Sequence, residues 1–195
     1  RDSINSYQQI LALKLPLANK KLETLPTNNG ITLYLRSLSS SILILLENDE
    51  TAYEKWLDQY DDAIDLVEKY DKKSPYYLFT LSEIKLHGAF LKFYFGDRMS
   101  AFWHFRSAYN LLKENHKKFP TFLPNKKSLG CLNILLGSVP NEYTWIMNGL
   151  GFYGDINKGL GQLAKIQESN SLFKLEVDCS LLLIKSSIFK EKKES

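Results

Sequence analysis

Apolar residues along this chain recur three or four positions apart, and strand-like alternation is scarce. The spacing predicts helices almost throughout. A first helix runs from about Ser3 to Leu13, and Pro16 suits the first turn of a second that reaches about Leu25. The run 26–30 (Pro-Thr-Asn-Asn-Gly) breaks the pattern. A third helix, from about Ile31 to Glu47, carries Leu35, Leu38, Ile42, Leu45 and Leu46, and the polar run 48–51 ends it and can cap the next. The fourth has the clearest amphipathic stripe: Tyr53, Trp56, Leu57, Tyr60, Ile64 and Val67. Ser74-Pro75 reads as a cap and first-turn proline for a fifth helix to about Phe95, so crowded with apolar groups that several neighbours must cover it. A sixth spans about Arg98 to Phe119, a seventh about Lys126 to Gly137, and an eighth from Ser138-Val139-Pro140 to near Gly151. A ninth covers about Ile156 to Glu168 and a tenth about Ser171 to Phe189. Short links between them imply antiparallel neighbours.

Two corners repeat. Gly96-Asp97 is followed by Ala101, Phe105 and Ala108; Gly154-Asp155 is followed at the same offsets by Gly159, Leu163 and Ile166. Ala18, Leu22 and Leu25 echo the later part of that spacing. A small residue is needed where two helices of a pair approach closely, and a large apolar one four positions on fills the gap to the next pair. Such a unit cannot bury its apolar face alone, so it must stack.

Gly96, Ala101, Phe105 and Ala108, with Ala89 on the preceding helix, resemble the spacing of a tetratricopeptide repeat. Lys85 stands in place of the usual early aromatic, and the terminal proline arrives late, at Pro120. The resemblance therefore implies an all-α superhelix of stacked antiparallel helix pairs with degenerate, TPR-like repeats. The segments 74–78, Ala101-Phe102-Trp103 and 119–127 are similar to a bacterial (Bacteroidetes-type) family of uncharacterised TPR-like proteins. Leu136-Gly137-Ser138-Val139-Pro140, with 151–155 and Gly159-Leu160, is similar to a segment of eukaryotic TPR-like proteins of the outer mitochondrial membrane. Neither resemblance implies a catalytic residue. Members of the bacterial family often look exported. With Arg1 rather than Met at the start, this favours an extracytoplasmic location after signal-peptide removal over a cytoplasmic one. The expected organisation is one helical domain over 1–195, part of a longer chain, with a polar fray from Phe189 to Ser195.

Charge narrows the partners. A net charge of +3 is too small to argue for nucleic acid or an anionic membrane. No stretch approaches the ~18 apolar residues of a spanning helix, so no transmembrane segment is expected. Cys131 and Cys179 lie in apolar helical stretches and read as buried thiols. Gly149-Leu150-Gly151-Phe152-Tyr153-Gly154 matches a dinucleotide fingerprint on paper, but it follows a helix rather than a strand and reads as a tight turn. His87, His104 and His116 show no metal-binding pair spacing; His87 and His104 lie on adjacent helices and could face one another. Asp58, Asp61, Asp62 and Asp65 place four carboxylates on the fourth helix. They could attract a cation or basic segment, but lack a calcium loop's glycine and glutamate, and the plainer reading is a solvated face. No metal or cofactor is expected.

Aromatic density between Tyr76 and Phe122 supplies the remaining candidate. Consecutive aromatics such as Phe93-Tyr94-Phe95 and Phe102-Trp103-His104-Phe105 cannot all face inward on one helix, and those turned outward would make a groove. Arg98, Arg106, Lys126 and Lys127 lie nearby and suit an acidic partner. The expected function is a non-enzymatic protein-interaction scaffold that binds a protein or peptide segment on a concave helical surface through Tyr94, Arg98, Trp103 and Arg106. The acidic fourth helix is a second candidate surface. A binding module for a small apolar or lipid-like ligand is the alternative, which an apolar cavity with few polar groups would favour. An enzyme is a third reading, and it requires at least two convergent polar groups in a pocket.

Overall fold

A computed structural model describes residues 2–191, which form ten α-helices with no strand among the described residues. Arg1 and residues 192–195, part of the expected polar fray, lie outside the described residues. The helices are α1 (Asp2–Leu11), α2 (Leu15–Glu23), α3 (Gly30–Glu47), α4 (Glu50–Glu68), α5 (Pro75–Tyr94), α6 (Arg98–Lys118), α7 (Pro124–Gly137), α8 (Asn141–Gly149), α9 (Ile156–Gln167) and α10 (Lys174–Glu191). The starts of α3, α4, α5, α6 and α9 follow polar residues that cap them. The side chains of Asn29, Asp49, Ser74, Asp97 and Asp155 each accept a hydrogen bond from a backbone N–H of the first turn. A cap of this kind stabilises a helix by about 1 kcal/mol.

Two ends differ from the expected ones for local reasons. α1 stops at Leu11, before Leu13 takes a left-handed φ of 56° that no helix can continue through. α10 starts at Lys174 rather than Ser171, because hydroxyls occupy the preceding backbone. Ser169 Oγ accepts from the Ser171 N–H at 3.2 Å, and Ser171 Oγ accepts from the Phe173 N–H at 3.2 Å.

The helices divide into two compact units, one ending at Pro120 and one beginning at Thr121. In the first, α3 packs against α1, α2, α4 and α5, and α5 packs in turn against α4 and α6. The α4 stripe faces inward: Tyr53, Trp56, Tyr60 and Val67 join Leu33, Ile44, Leu81, Ile84 and Leu91 in one core, with Leu57 and Ile64 half-buried at its edge. α5 is buried around most of its girth, as its crowded sequence predicts. Arg36 on α3 reaches across to α2, where its guanidinium donates to the carbonyls of Leu22 at 2.7 Å and Leu25 at 3.1 Å. The guanidinium thereby fastens the C-terminal end of α2 and the residues just after it to α3.

α3 corrects one expectation. Its 18 residues have a mean hydropathy of 1.3, long and apolar enough by length and composition to cross a membrane. The serines between its leucines disguise this on inspection. Here Ser39 Oγ donates to Asn19 Oδ1 at 2.6 Å and Ser41 Oγ to the Ser37 carbonyl at 2.7 Å, amid four neighbouring helices.

In the second unit, α7 packs against α9, and α9 against α10. Gly130 and Gly159 meet at the α7–α9 crossing, where a methyl group on Gly159 would stand 2.6 Å from the Gly130 carbonyl oxygen. Leu163 and Ile134 are fully buried beside them. The two repeated corners use glycine differently. Gly96 adopts φ +91° with open space around it, whereas Gly154 has no room for a Cβ against the backbone of Leu136 and Gly137.

Candidate functional site

The α5–α6 hairpin of the first unit carries an open groove of about 360 Å³. It is lined by Ala89, Phe90 and Phe93 from α5 and by Arg98, Ala101, Phe102 and Phe105 from α6. The α6 residues fall at i, i+3, i+4 and i+7, one stripe of a helix. The two alanines explain the depth: Ala89 and Ala101 are 5% and 4% exposed, and their small side chains let the floor sink between taller phenylalanines. Phe90 and Phe93 are 52% and 63% exposed, far more than rings of a sealed core. Arg98, exposed at the start of α6, is the groove's one charged lining residue.

Of the four residues expected to recognise a partner, the structure brings Arg98 into this groove and places the others elsewhere. Trp103 and Arg106 lie one position off the lining stripe of α6 and pair with each other, guanidinium carbon to ring centroid 5.8 Å, with Trp103 54% exposed. Tyr94 turns toward the α3–α4 corner: its hydroxyl donates to Asn48 Oδ1 at 3.0 Å and its ring meets Phe95 edge-on. The sequence reading missed Phe90, Phe102 and Phe105 as a set. Their signal was present, as paired phenylalanines at i, i+3 on both helices (90/93 and 102/105) beside the alanines already marked as crossing residues.

Asp58, Asp61, Asp62 and Asp65 are all exposed on α4. No cluster of three or more potential metal ligands exists among the described residues. Asp62 instead edges a pocket of about 230 Å³ between α3 and α4 with Arg36, Gln59 and Tyr60. Lys127, read from sequence with the surface cations, is 4% exposed. Its ammonium donates to Glu176 Oε1 of α10 at 2.7 Å and sits 5.5 Å from the Phe173 ring centroid. Of the cysteines expected to be buried, Cys131 is half-buried and Cys179 exposed, because α10 leaves much of its apolar side uncovered, Leu182 and Leu183 included.

The histidines turn to different helices. His87 shares a 2.8 Å hydrogen bond through Nδ1 with Ser37 Oγ of α3 and stacks on Tyr34. That is a nucleophile–base distance, but Ser37 is only 9% exposed and the pair lies in a helix interface. His104 Nδ1 donates to the Ser100 carbonyl at 2.8 Å, and its ring packs on Tyr60. Burial pushes the His104 imidazole below its ordinary range, and the nearby lysines 92 and 85 push the same way. Burial likewise lowers Lys85, which Glu68 and Asp61 partly offset. The glycine-rich run 149–154 links α8 to α9 with no strand before it among the described residues, so it has none of the setting in which a dinucleotide loop works. No protein-family model, curated protein or solved structure matches this chain.

Proposed function

We propose that this chain is a non-enzymatic binding module whose α5–α6 groove takes apolar side chains of a partner segment. The observation that carries the reading is the groove itself, an open, aromatic-walled cleft with a single guanidinium among its lining residues. Sealed cores do not leave two phenylalanines of one helix more than half exposed, whereas recognition surfaces are enriched in such aromatics and in arginine. Engagement of His87 and His104 in helix packing supports a non-catalytic role. The α5–α6 pair also fits a degenerate TPR-like hairpin: Ala89 and Ala101 stand at the small positions and Ala108 is fully buried. In that reading the groove is the side on which such hairpins receive another apolar surface.

A photo-cross-linking residue in place of Phe93, in the native cell, tests the reading. It captures a defined partner chain, the same residue in place of exposed Leu17 captures none, and adding Phe90→Asp abolishes the capture. Equal labelling from both positions sinks it.

A small apolar or lipid-like ligand is the second reading, favoured by the scarcity of polar groups in the groove. Native mass spectrometry of protein purified from its own cells then shows an added mass that Phe93→Asp removes.

A further inference from the structure

The first unit holds a second cavity, of different chemistry from the α5–α6 groove. Two helical stripes face each other across it: Leu33, Arg36, Ser37 and Ser40 on α3, and Trp56, Gln59, Tyr60 and Ala63 on α4. Each set falls at i, i+3, i+4 and i+7. Leu66 of α4 and Ile84 of α5 add to its apolar lining, and Asp62 stands at its edge. Every lining residue belongs to the first unit. At about 230 Å³ the cavity is smaller than the ~300 Å³ at which sites for drug-sized ligands begin, so it suits a small molecule.

Three features set its chemistry. Arg36 is pinned: its Nε and Nη2 donate to the carbonyls of Leu22 and Leu25, so the guanidinium is in place before any ligand arrives, and Nη1 takes no part in those bonds. Asp62 lines the same cavity from the facing helix and is exposed, yet it forms no ion pair with Arg36 among the described residues. Two opposite charges thus border one cavity without meeting. Tyr60 is only 6% exposed, and its hydroxyl has no hydrogen-bond partner among the described residues. A buried hydroxyl left unpaired is costly, and a ligand that pairs it relieves the cost.

We propose that this cavity binds a free amino acid with an apolar side chain. The carboxylate accepts from Arg36 Nη1 and the Tyr60 hydroxyl, the ammonium pairs with Asp62, and the side chain lies against Leu33, Trp56, Leu66 and Ile84. A zwitterion is the class that fits both charges. A ligand with a carboxylate alone is repelled by Asp62, and one with an ammonium alone is repelled by Arg36. The pinned guanidinium loses little freedom when the carboxylate arrives, which favours binding. The site shares no lining residue with the α5–α6 groove, so the two stand or fall separately.

Isothermal titration calorimetry of the full chain at neutral pH with L-leucine, L-methionine and L-phenylalanine tests this. At least one of them binds one-to-one. Its analogue without the carboxylate binds about tenfold more weakly, as loss of a hydrogen bond to a charged group does. Its analogue without the ammonium loses about two- to fivefold, the range of an exposed ion pair. Asp62→Asn, at an exposed position that the fold does not depend on, brings the amino acid and that acid to equal affinity. Tyr60→Phe removes a hydroxyl that has no partner, so the free chain is no less stable, while affinity falls roughly fivefold. Absence of binding by all three amino acids at millimolar concentration, analogues that bind as well as the amino acid, or unchanged affinity in Tyr60→Phe overturns the proposal.

Discussion

Gly159 of α9 lies so close to Gly130 of α7 that a single added carbon would meet the Gly130 carbonyl at 2.6 Å and the Ile134 side chain at the same distance. The second unit is built on that approach. Helices that touch through glycines bring Leu163 and Ile134 into full burial and allow Asn133 Nδ2 to donate to Gln162 Oε1 at 2.8 Å across the seam. Gly159→Ala therefore forces α7 and α9 apart and lowers stability by about 1–3 kcal/mol, the range for overfilled cores. Gly161, two residues on in the same helix, has nothing within 4 Å of where its Cβ would stand. Gly161→Ala gains helix propensity and is neutral or stabilising by up to about 1 kcal/mol. Urea unfolding of the two variants checks the contrast, and equal losses would show that the close approach carries no weight.

The Lys127–Glu176 pair ties α7 to α10 at 2.7 Å, with side chains only 5% and 17% exposed. Breaking one half of a buried pair leaves a charge in a poor dielectric, so Glu176→Gln costs about 3–5 kcal/mol. Replacing both halves with apolar groups, Lys127→Met with Glu176→Leu, recovers most of that loss, because neither charge then remains to be desolvated. Thermal unfolding of the single and double variants reads the difference. A double variant less stable than the single one would mean that the pair contributes more than its removal relieves.

His104 gives the protein a pH dependence of definite sign. Burial lowers its pKa in the folded state, against the opposing pull of the Ser100 carbonyl and Asp61. The unfolded chain therefore takes up a proton first as pH falls through about 6.5. Stability from this ring is complete above that pH and declines below it, until the folded state is protonated too. The melting temperature of the wild type falls more between pH 7.5 and 5.5 than that of His104→Gln. Parallel curves would show that the imidazole is not held neutral.

The groove supplies the last contrast. Phe90 is 52% exposed, so Phe90→Asp leaves the first unit's melting temperature nearly unchanged while abolishing capture from the photo-cross-linking residue at position 93. Large destabilisation would instead mark Phe90 as part of the core and remove it from any recognition role.

Local chemistry made much of this protein legible in its sequence. Helical spacing of apolar residues marked all ten helices, and Asp, Asn or Ser caps sharpened the starts of α3, α4, α5, α6 and α9, since capping and amphipathicity act within a few residues of chain. The inward stripe of α4 and the all-round burial of α5 followed from the same periodicity. Only tertiary structure decided which partner each side chain meets. Phe90 and Leu91 are neighbours of equal apolarity, yet one stands in a groove and the other is fully buried, because α6 and its alanines set where the floor lies. Lys127 and Lys126 look alike in sequence, but only Lys127 finds a carboxylate 49 residues away on α10. Arg98 joins the groove while Tyr94 turns to Asn48. Periodicity fixes the face of a helix that is apolar; which helix arrives to cover it is set by packing between distant segments, where spacing along the chain carries no information.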